Sequence, residues 1–254
     1  MIRLYLQNIV NSIHFENLPQ EWQDFDFVKF SDKKKLFDYQ QNALKNAVKA
    51  LFKFFYDLQG NKQAFFDLYK NNHFTEDLDL KLNGNKIRKI YEDFDKDYPV
   101  ENNKIPFFYF INRMSFWMAT GSGKTLVIVK LIELLAKLIQ SKQIPDNEIL
   151  FLTYREDLIE QFKHHIEEFN ACNSEITLEL YNLKDYEKIK RENRLSFGNT
   201  IDLFYYRSDL ISDEQKDKIV NFKNYENNGK WFILLDEAHK GDKEDSKRQH
   251  YYSI

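Results

Sequence analysis

Residues 118–125 read Met-Ala-Thr-Gly-Ser-Gly-Lys-Thr, a run whose residue types suit one task, holding a polyphosphate. Gly121 and Gly123 let the backbone turn its N–H groups inward, Lys124 carries a cation able to reach two phosphates at once, and the Thr125 hydroxyl suits Mg²⁺. The candidate cradle is therefore Thr120, Gly121, Ser122, Gly123, Lys124 and Thr125. It departs from the strict phosphate-loop pattern at one position, where Met118 stands for glycine. The competing reading, a Gly-Ser turn followed by a chance Lys-Thr, leaves unexplained why strand and helix patterns flank it on the expected sides. A second cluster closes an apolar run: Leu234-Leu235-Asp236-Glu237-Ala238-His239. Adjacent carboxylates at a strand end can divide labour, Asp236 holding Mg²⁺ through water and Glu237 orienting and deprotonating the water that attacks a terminal phosphate. His239 lies in the same turn and joins Lys124, Asp236 and Glu237 as a catalytic candidate. The alternative for this cluster is a solvated acidic turn.

These groups need a scaffold that brings loop and strand end together. Residues 107–118 are aromatic and apolar and predict a strand; the glycine loop follows, and residues 124–139 carry a helical pattern. Residues 148–154 (EILFLTY) predict a second strand, leading into a helix over 155–170 with Leu158, Ile159, Phe162, Ile166 and Phe169 on one face. Further strands are expected at 176–181, 201–206 and 231–235, the last continuously apolar as a buried central strand should be. Strands alternating with helices imply an α/β fold, a parallel sheet with helices on both faces. Ligands gather at the carboxyl ends of such strands, so Asp236 and Glu237 are expected to face the phosphate loop. Upstream, Leu44, Val48, Leu51, Phe52 and Phe55 recur near a period of 3.6 and predict one long helix over 36–69. Residues 70–105 are polar, with Asn83-Gly84 as a turn, a short helix near 86–94 and Tyr98-Pro99 as a stop, and read as an insertion. Residues 1–35 form a polar, aromatic-containing lead ending in the charge run 31–35. The division expected is a lead (1–35), a mainly helical segment with insertion (36–105) and a nucleotide-binding lobe (106–254).

Composition removes several classes. Lys and Arg number 37 against 40 Asp and Glu, a net charge of −3, so any surface for a polyanion must be local. With 43% hydrophobic and 30% charged residues the chain can fill a core and is not disordered. Lys130, Glu133 and Lys137 interrupt the longest apolar stretch, so no membrane-spanning helix is expected. Gln7 and Asn8 break the N-terminal apolar run before it could serve as a signal core, which predicts a cytoplasmic protein. The single cysteine, Cys172, cannot form an internal disulfide, and with His164-His165 it has no zinc-site spacing.

The pairing of TGSGKT with DEAH resembles the first RecA-like lobe of superfamily 2 helicases and translocases. MATGSGKT together with FLTYREDLIEQF (151–162) is most similar to the motor subunit of type III restriction enzymes and to UvrB-like helicase domains. The resemblance runs from about residue 36 to the end, apart from the insertion. It implies a RecA-like P-loop fold, ATP and Mg²⁺ as cofactors, and ATP hydrolysis coupled to movement on DNA. It also implies that Gln40, in LFDYQQ (36–41), reads the adenine edge, although Phe37-Asp38 replace the Arg-Pro usual before the tyrosine. Thr153, Tyr154 and Arg155 match the family's first nucleic-acid motif, and Tyr206 and Arg207 the next; both grip the phosphodiester backbone and position it without reading sequence. The implied partners are DNA and, in a restriction setting, a modification methyltransferase. The family's Ser-Ala-Thr motif and second lobe would come after Ile254, so the chain alone is expected to be a poor ATPase. Two other readings stay open: a general DNA or RNA helicase lobe with no restriction role, and a catalytically silent nucleotide-binding fragment.

Overall fold

The structure, a computed structural model, describes residues 4–72, 74, 78–192, 199–212 and 214–236. In chain order its helices are α1 (Tyr5–Asn11), α2 (Asp38–Leu51), α3 (Lys62–Asn71), α4 (Asn85–Tyr91), α5 (Lys124–Gln140), α6 (Glu156–Cys172) and α7 (Tyr186–Glu192). Its strands are β1 (Leu80–Lys81), β2 (Lys104–Ile105), β3 (Glu148–Thr153), β4 (Thr177–Asn182), β5 (Thr200–Arg207), β6 (Ile211–Ser212), β7 (Val220–Asn221) and β8 (Trp231–Leu235). They fall into two compact units, one of Met1–Leu78 with Phe107–Asp146 and one of Asp79–Pro106 with Asn147–Ile254.

The first unit is helical. The long helix expected over 36–69 is instead three pieces: α2, a π-helical turn at Phe52–Asp57, and α3. The break is local chemistry: Gln59 and Gly60 both take positive φ, and the Asn61 side chain then caps α3 by accepting the Ala64 N–H at 3.0 Å. Residues within 4–35 also pack into this unit. Trp22 is fully buried, meets Phe52 and Tyr56 edge-on at 5.4 and 6.2 Å, and donates its indole N–H to Gln143 at 3.0 Å. A second cluster joins Tyr5, Ile9, Phe65, Tyr69 and Ile111. Here the expected strand over 107–118 is corrected. Phe107–Phe110 is a 3-10 turn and no strand follows before the glycine loop. Four consecutive aromatics lack the two-residue alternation of a half-buried strand, and their rings find partners on α3 and its flank: Phe107 lies 5.8 Å from Tyr69 and 5.4 Å from Phe74, and Phe108 lies 5.8 Å from Phe66.

Helix α5 is buried almost all round, and its inward side includes charge. Lys130 and Glu133 are both buried and ion-paired, while Lys137 approaches the other Glu133 oxygen at 3.5 Å. Lys130→Ala is expected to lower stability by up to about 3–5 kcal/mol, because it leaves the buried Glu133 carboxylate with the longer contact to Lys137. Urea denaturation reads this directly, and Lys130→Met combined with Glu133→Leu should recover most of the loss.

The second unit carries a four-stranded sheet of order β4-β5-β3-β8, parallel throughout. Register pairs Phe151 with Tyr205 and Leu150 with both Phe204 and Ile233, so alternate residues face opposite sides. On one side Phe151 stacks at 3.9 Å on Phe162 of α6; on the other, Phe204 meets Tyr186 of α7 at 5.1 Å and Trp231 at 5.9 Å. Helices thus flank both faces, and the architecture is α/β and RecA-like. The continuous apolar run of β8 is not central as expected: among the described residues it pairs with β3 alone, and Ile233 is 41% exposed. The polar insertion contributes the β1-β2 hairpin and α4 to this same unit, where Phe94 lies 6.1 Å from Phe222 and Asp93 pairs with Lys223. No helix among the described residues is long and apolar enough to cross a membrane.

Candidate nucleotide site and carboxyl edge of the sheet

The glycine loop closes on itself through the Ser122 N–H, which donates to the Ala119 carbonyl at 3.2 Å. Gly121 and Gly123 have φ of 77° and 73°, left-handed values that a side chain would strain. Gly123 caps α5, whose first amides have no partner within the helix and meet the positive end of its dipole. A phosphate fits that position because it accepts from the amides and balances the dipole. The Lys124 ammonium folds over the loop, 3.3 Å from the Met118 carbonyl and 3.5 Å from that of Ala119. The Ser122 hydroxyl oxygen is shut off from solvent with no partner. Thr120 is exposed on the loop, and Thr125 is half-buried at the second position of α5.

Beneath the loop lies the start of α2. Gln40 is 1% exposed; its Oε1 accepts the Phe37 N–H at 2.8 Å and its Nε2 donates to the Ser122 carbonyl at 2.8 Å. The Tyr39 hydroxyl donates to that same carbonyl, also at 2.8 Å. The approach is tight enough that a Cβ on residue 123 would sit 2.6 Å from Gln40 Nε2. Sequence reasoning singled out Gln40 for a base edge and missed Tyr39. The rings of Phe37 and Tyr39 stack at 5.9 Å and 12°, both exposed.

At the carboxyl edge of the sheet, Asp236 is buried and its N–H donates to the Leu152 carbonyl at 2.9 Å. Glu237 and His239 lie outside the described residues. Two expected nucleic-acid contacts turn out to be interior. Thr153 is fully buried, with its hydroxyl unpartnered. Tyr206 is buried and donates to the Lys218 carbonyl at 2.8 Å; burial pushes its phenol up to about 12. Both lie near the carboxyl ends of their strands with their hydroxyls inside the protein. Tyr154 is half-buried. Arg155 is exposed and forks onto Asp157, its Nε at 2.8 Å; Arg207 forks onto Asp209 at 3.0 and 2.7 Å and lies 3.8 Å from Glu156. The hydrogen bond from Arg155 holds the Asp157 carboxyl below its ordinary range, and the Asp209 hydrogen bond raises Arg207.

Among the described residues no group of three or more His, Cys, Asp and Glu could hold a metal ion. The chain matches the model of the family described as type III restriction enzyme, res subunit, over residues 33–253. No curated protein and no solved structure matches it. The matched span takes in Gln40, the glycine loop, the whole parallel sheet and the Asp236-Glu237 pair. Domains of this family are helicase-like and ATP-binding, and with that span covering well over half of its length, the chain belongs to the family of type III restriction enzyme res subunits.

Proposed function

We propose that the chain is the ATP-binding motor lobe of a type III restriction system, coupling ATP hydrolysis to movement along DNA. The observation that carries this is the glycine loop: left-handed Gly121 and Gly123, orphan amides at the start of α5, and a Lys124 ammonium held only on the loop's own carbonyls. Gly121, Ser122, Gly123 and the first amides of α5 bind the phosphates, with Thr120 at the loop's entrance, and Lys124 moves from those carbonyls onto the β- and γ-phosphates. Thr125 and, through water, Asp236 are the residues that would hold Mg²⁺, which would supply charge neutralisation on the transferring phosphoryl group. Glu237 takes a proton from the attacking water, and His239 stands in the same turn as a fourth catalytic group. In this chemistry an arginine delivered to the transferring phosphoryl group contributes about 10³–10⁵ in rate. Arg155 and Arg207 are each tied to an aspartate.

DNA is the track and a modification methyltransferase the second partner, both in the cytoplasm. Of the five residues expected at the track, Arg155 is exposed and Arg207 half-buried, both cationic, and Tyr154 is half-buried. The arginines stand among Glu156, Asp157 and Asp209, so the cluster carries more carboxylates than guanidinium groups. Binding to duplex DNA should therefore be weak and indifferent to sequence, with a slope of log K against log salt of about −2 for two phosphate contacts. Fluorescence anisotropy over a salt series with two unrelated duplexes checks this; a sequence preference, or a slope of many units, would overturn it.

A further inference from the structure

We propose that Asp157 and Asp209 set the grip of the sheet's carboxyl edge on nucleic acid, each holding one guanidinium in the place a backbone phosphate takes and giving it up when the phosphate arrives. This rests on the proposed DNA track and adds two affinity-setting residues to it. The same three-residue arrangement occurs twice, as Arg155-Glu156-Asp157 after β3 and Arg207-Ser208-Asp209 at the end of β5. β3 and β5 are paired neighbours, with Thr153 opposite Arg207, so both arrangements stand at one end of the sheet. Each arginine is extended, with φ and ψ of −127° and 147° at Arg155 and −82° and 124° at Arg207. A helical turn opens directly after it, α6 in one case and a 3-10 turn over Ser208–Leu210 in the other, and brings the aspartate two residues on back to the guanidinium.

The bonds formed are the same atom for atom. In both, Nε donates to Oδ1 and Nη2 to Oδ2, at 2.8 Å for the Nε of Arg155 and at 3.0 and 2.7 Å for Arg207. Arginine takes the paired oxygens of a phosphodiester in this same two-pronged geometry, so carboxylate and phosphate compete for one fork. Arg207 faces a further carboxylate, Glu156, at 3.8 Å. Both pairs reach solvent, with side-chain exposures of 55% and 59% in the first and 33% and 18% in the second. Solvent-exposed ion pairs are weak, whereas a contact to a polyanion releases its counterions, so a phosphate takes the fork without holding it firmly. When it leaves, the aspartate two residues away takes the fork back and no guanidinium is stranded. Contacts that position a backbone without reading it can then be made and broken phosphate by phosphate.

The test is a double-mutant cycle on the full chain, read by fluorescence anisotropy with one labelled duplex at fixed low salt. Asp157→Asn and Asp209→Asn keep the shape and lose the charge; each should tighten DNA by about 2- to 5-fold, and the two together by roughly 5- to 20-fold. The gain from Asp157→Asn should vanish in Arg155→Gln, and that from Asp209→Asn in Arg207→Gln, because the aspartate then has no fork to contest. Asp157 also accepts from its own N–H and that of Leu158 at the start of α6, so melting curves accompany the set. Where Asp157→Asn lowers the melting temperature, Asp209→Asn decides. Unchanged or weaker binding in both aspartate variants would overturn the inference. So would an equal gain with the arginine already replaced, which would show a general loss of negative charge near the polyanion. Absence of DNA binding in the parent and in every variant is a different result: it removes the track itself, and the inference with it.

Discussion

Lys124→Ala is expected to weaken Mg-ATP binding by roughly 30-fold or more, the cost of about 2–5 kcal/mol for truncating one partner of a close charge pair. The fold should be unaffected. Lys124 Nζ touches only the carbonyls of Met118 and Ala119, at 3.3 and 3.5 Å, and the side chain fills no part of the aromatic clusters of its unit. Those two contacts are long and are made to neutral oxygens, so the ammonium gains far more from a triphosphate than it gives up in leaving them. Titrating a fluorescent ATP analogue against both proteins, with circular dichroism and melting curves alongside, measures the effect. Equal affinities would remove the glycine loop from the nucleotide site.

Glu237→Gln should keep ATP bound as tightly as the parent while lowering single-turnover hydrolysis by about 10²–10⁴, the usual contribution of a positioned general base. Glutamine preserves shape and hydrogen bonding but cannot take the proton from water. Asp236→Ala should behave differently, losing the Mg²⁺-dependent part of ATP binding, because its buried carboxylate at the end of β8 is assigned to the metal. Radiolabelled ATP in excess enzyme, over the Lys124→Ala background, gives both numbers. Hydrolysis at the parental rate in Glu237→Gln would mean that the base is another group.

Much of the scaffold was legible because its signals are local. The 3.6-residue period of 124–139, the apolar run 148–154 and the spacing of Leu158, Ile159, Phe162, Ile166 and Phe169 correspond closely to α5, β3 and α6. The strands expected at 176–181, 201–206 and 231–235 correspond to β4, β5 and β8 within a residue or so. Each of these needs only its own side-chain periodicity, or a glycine whose φ must be positive, and neighbouring residues carry that information. The same holds for the Asn83-Gly84 turn, where Gly84 has φ 102° ahead of α4.

What sequence could not supply is which distant surfaces meet. The aromatic and apolar composition of 107–118 reads as a strand although its order lacks strand alternation, and the partners Tyr69, Phe74 and Phe66 hold Phe107–Phe110 as a turn. β8 reads as a central strand because its run is continuously apolar, but hydrophobicity says nothing of how many neighbours share its hydrogen bonds, and none of its residues is fully buried. Thr153 and Tyr206, expected at the nucleic-acid track from their place in a motif, lie on opposite faces of the sheet, and packing on each face buries them. The hold of Tyr39 and Gln40 on Ser122 spans more than eighty residues. In sequence it is a tyrosine, a glutamine and a serine with nothing to link them. Only packing α2 under the loop brings three polar groups within hydrogen-bond distance, because hydrogen bonds are short and directional and chain proximity cannot encode them across such a gap.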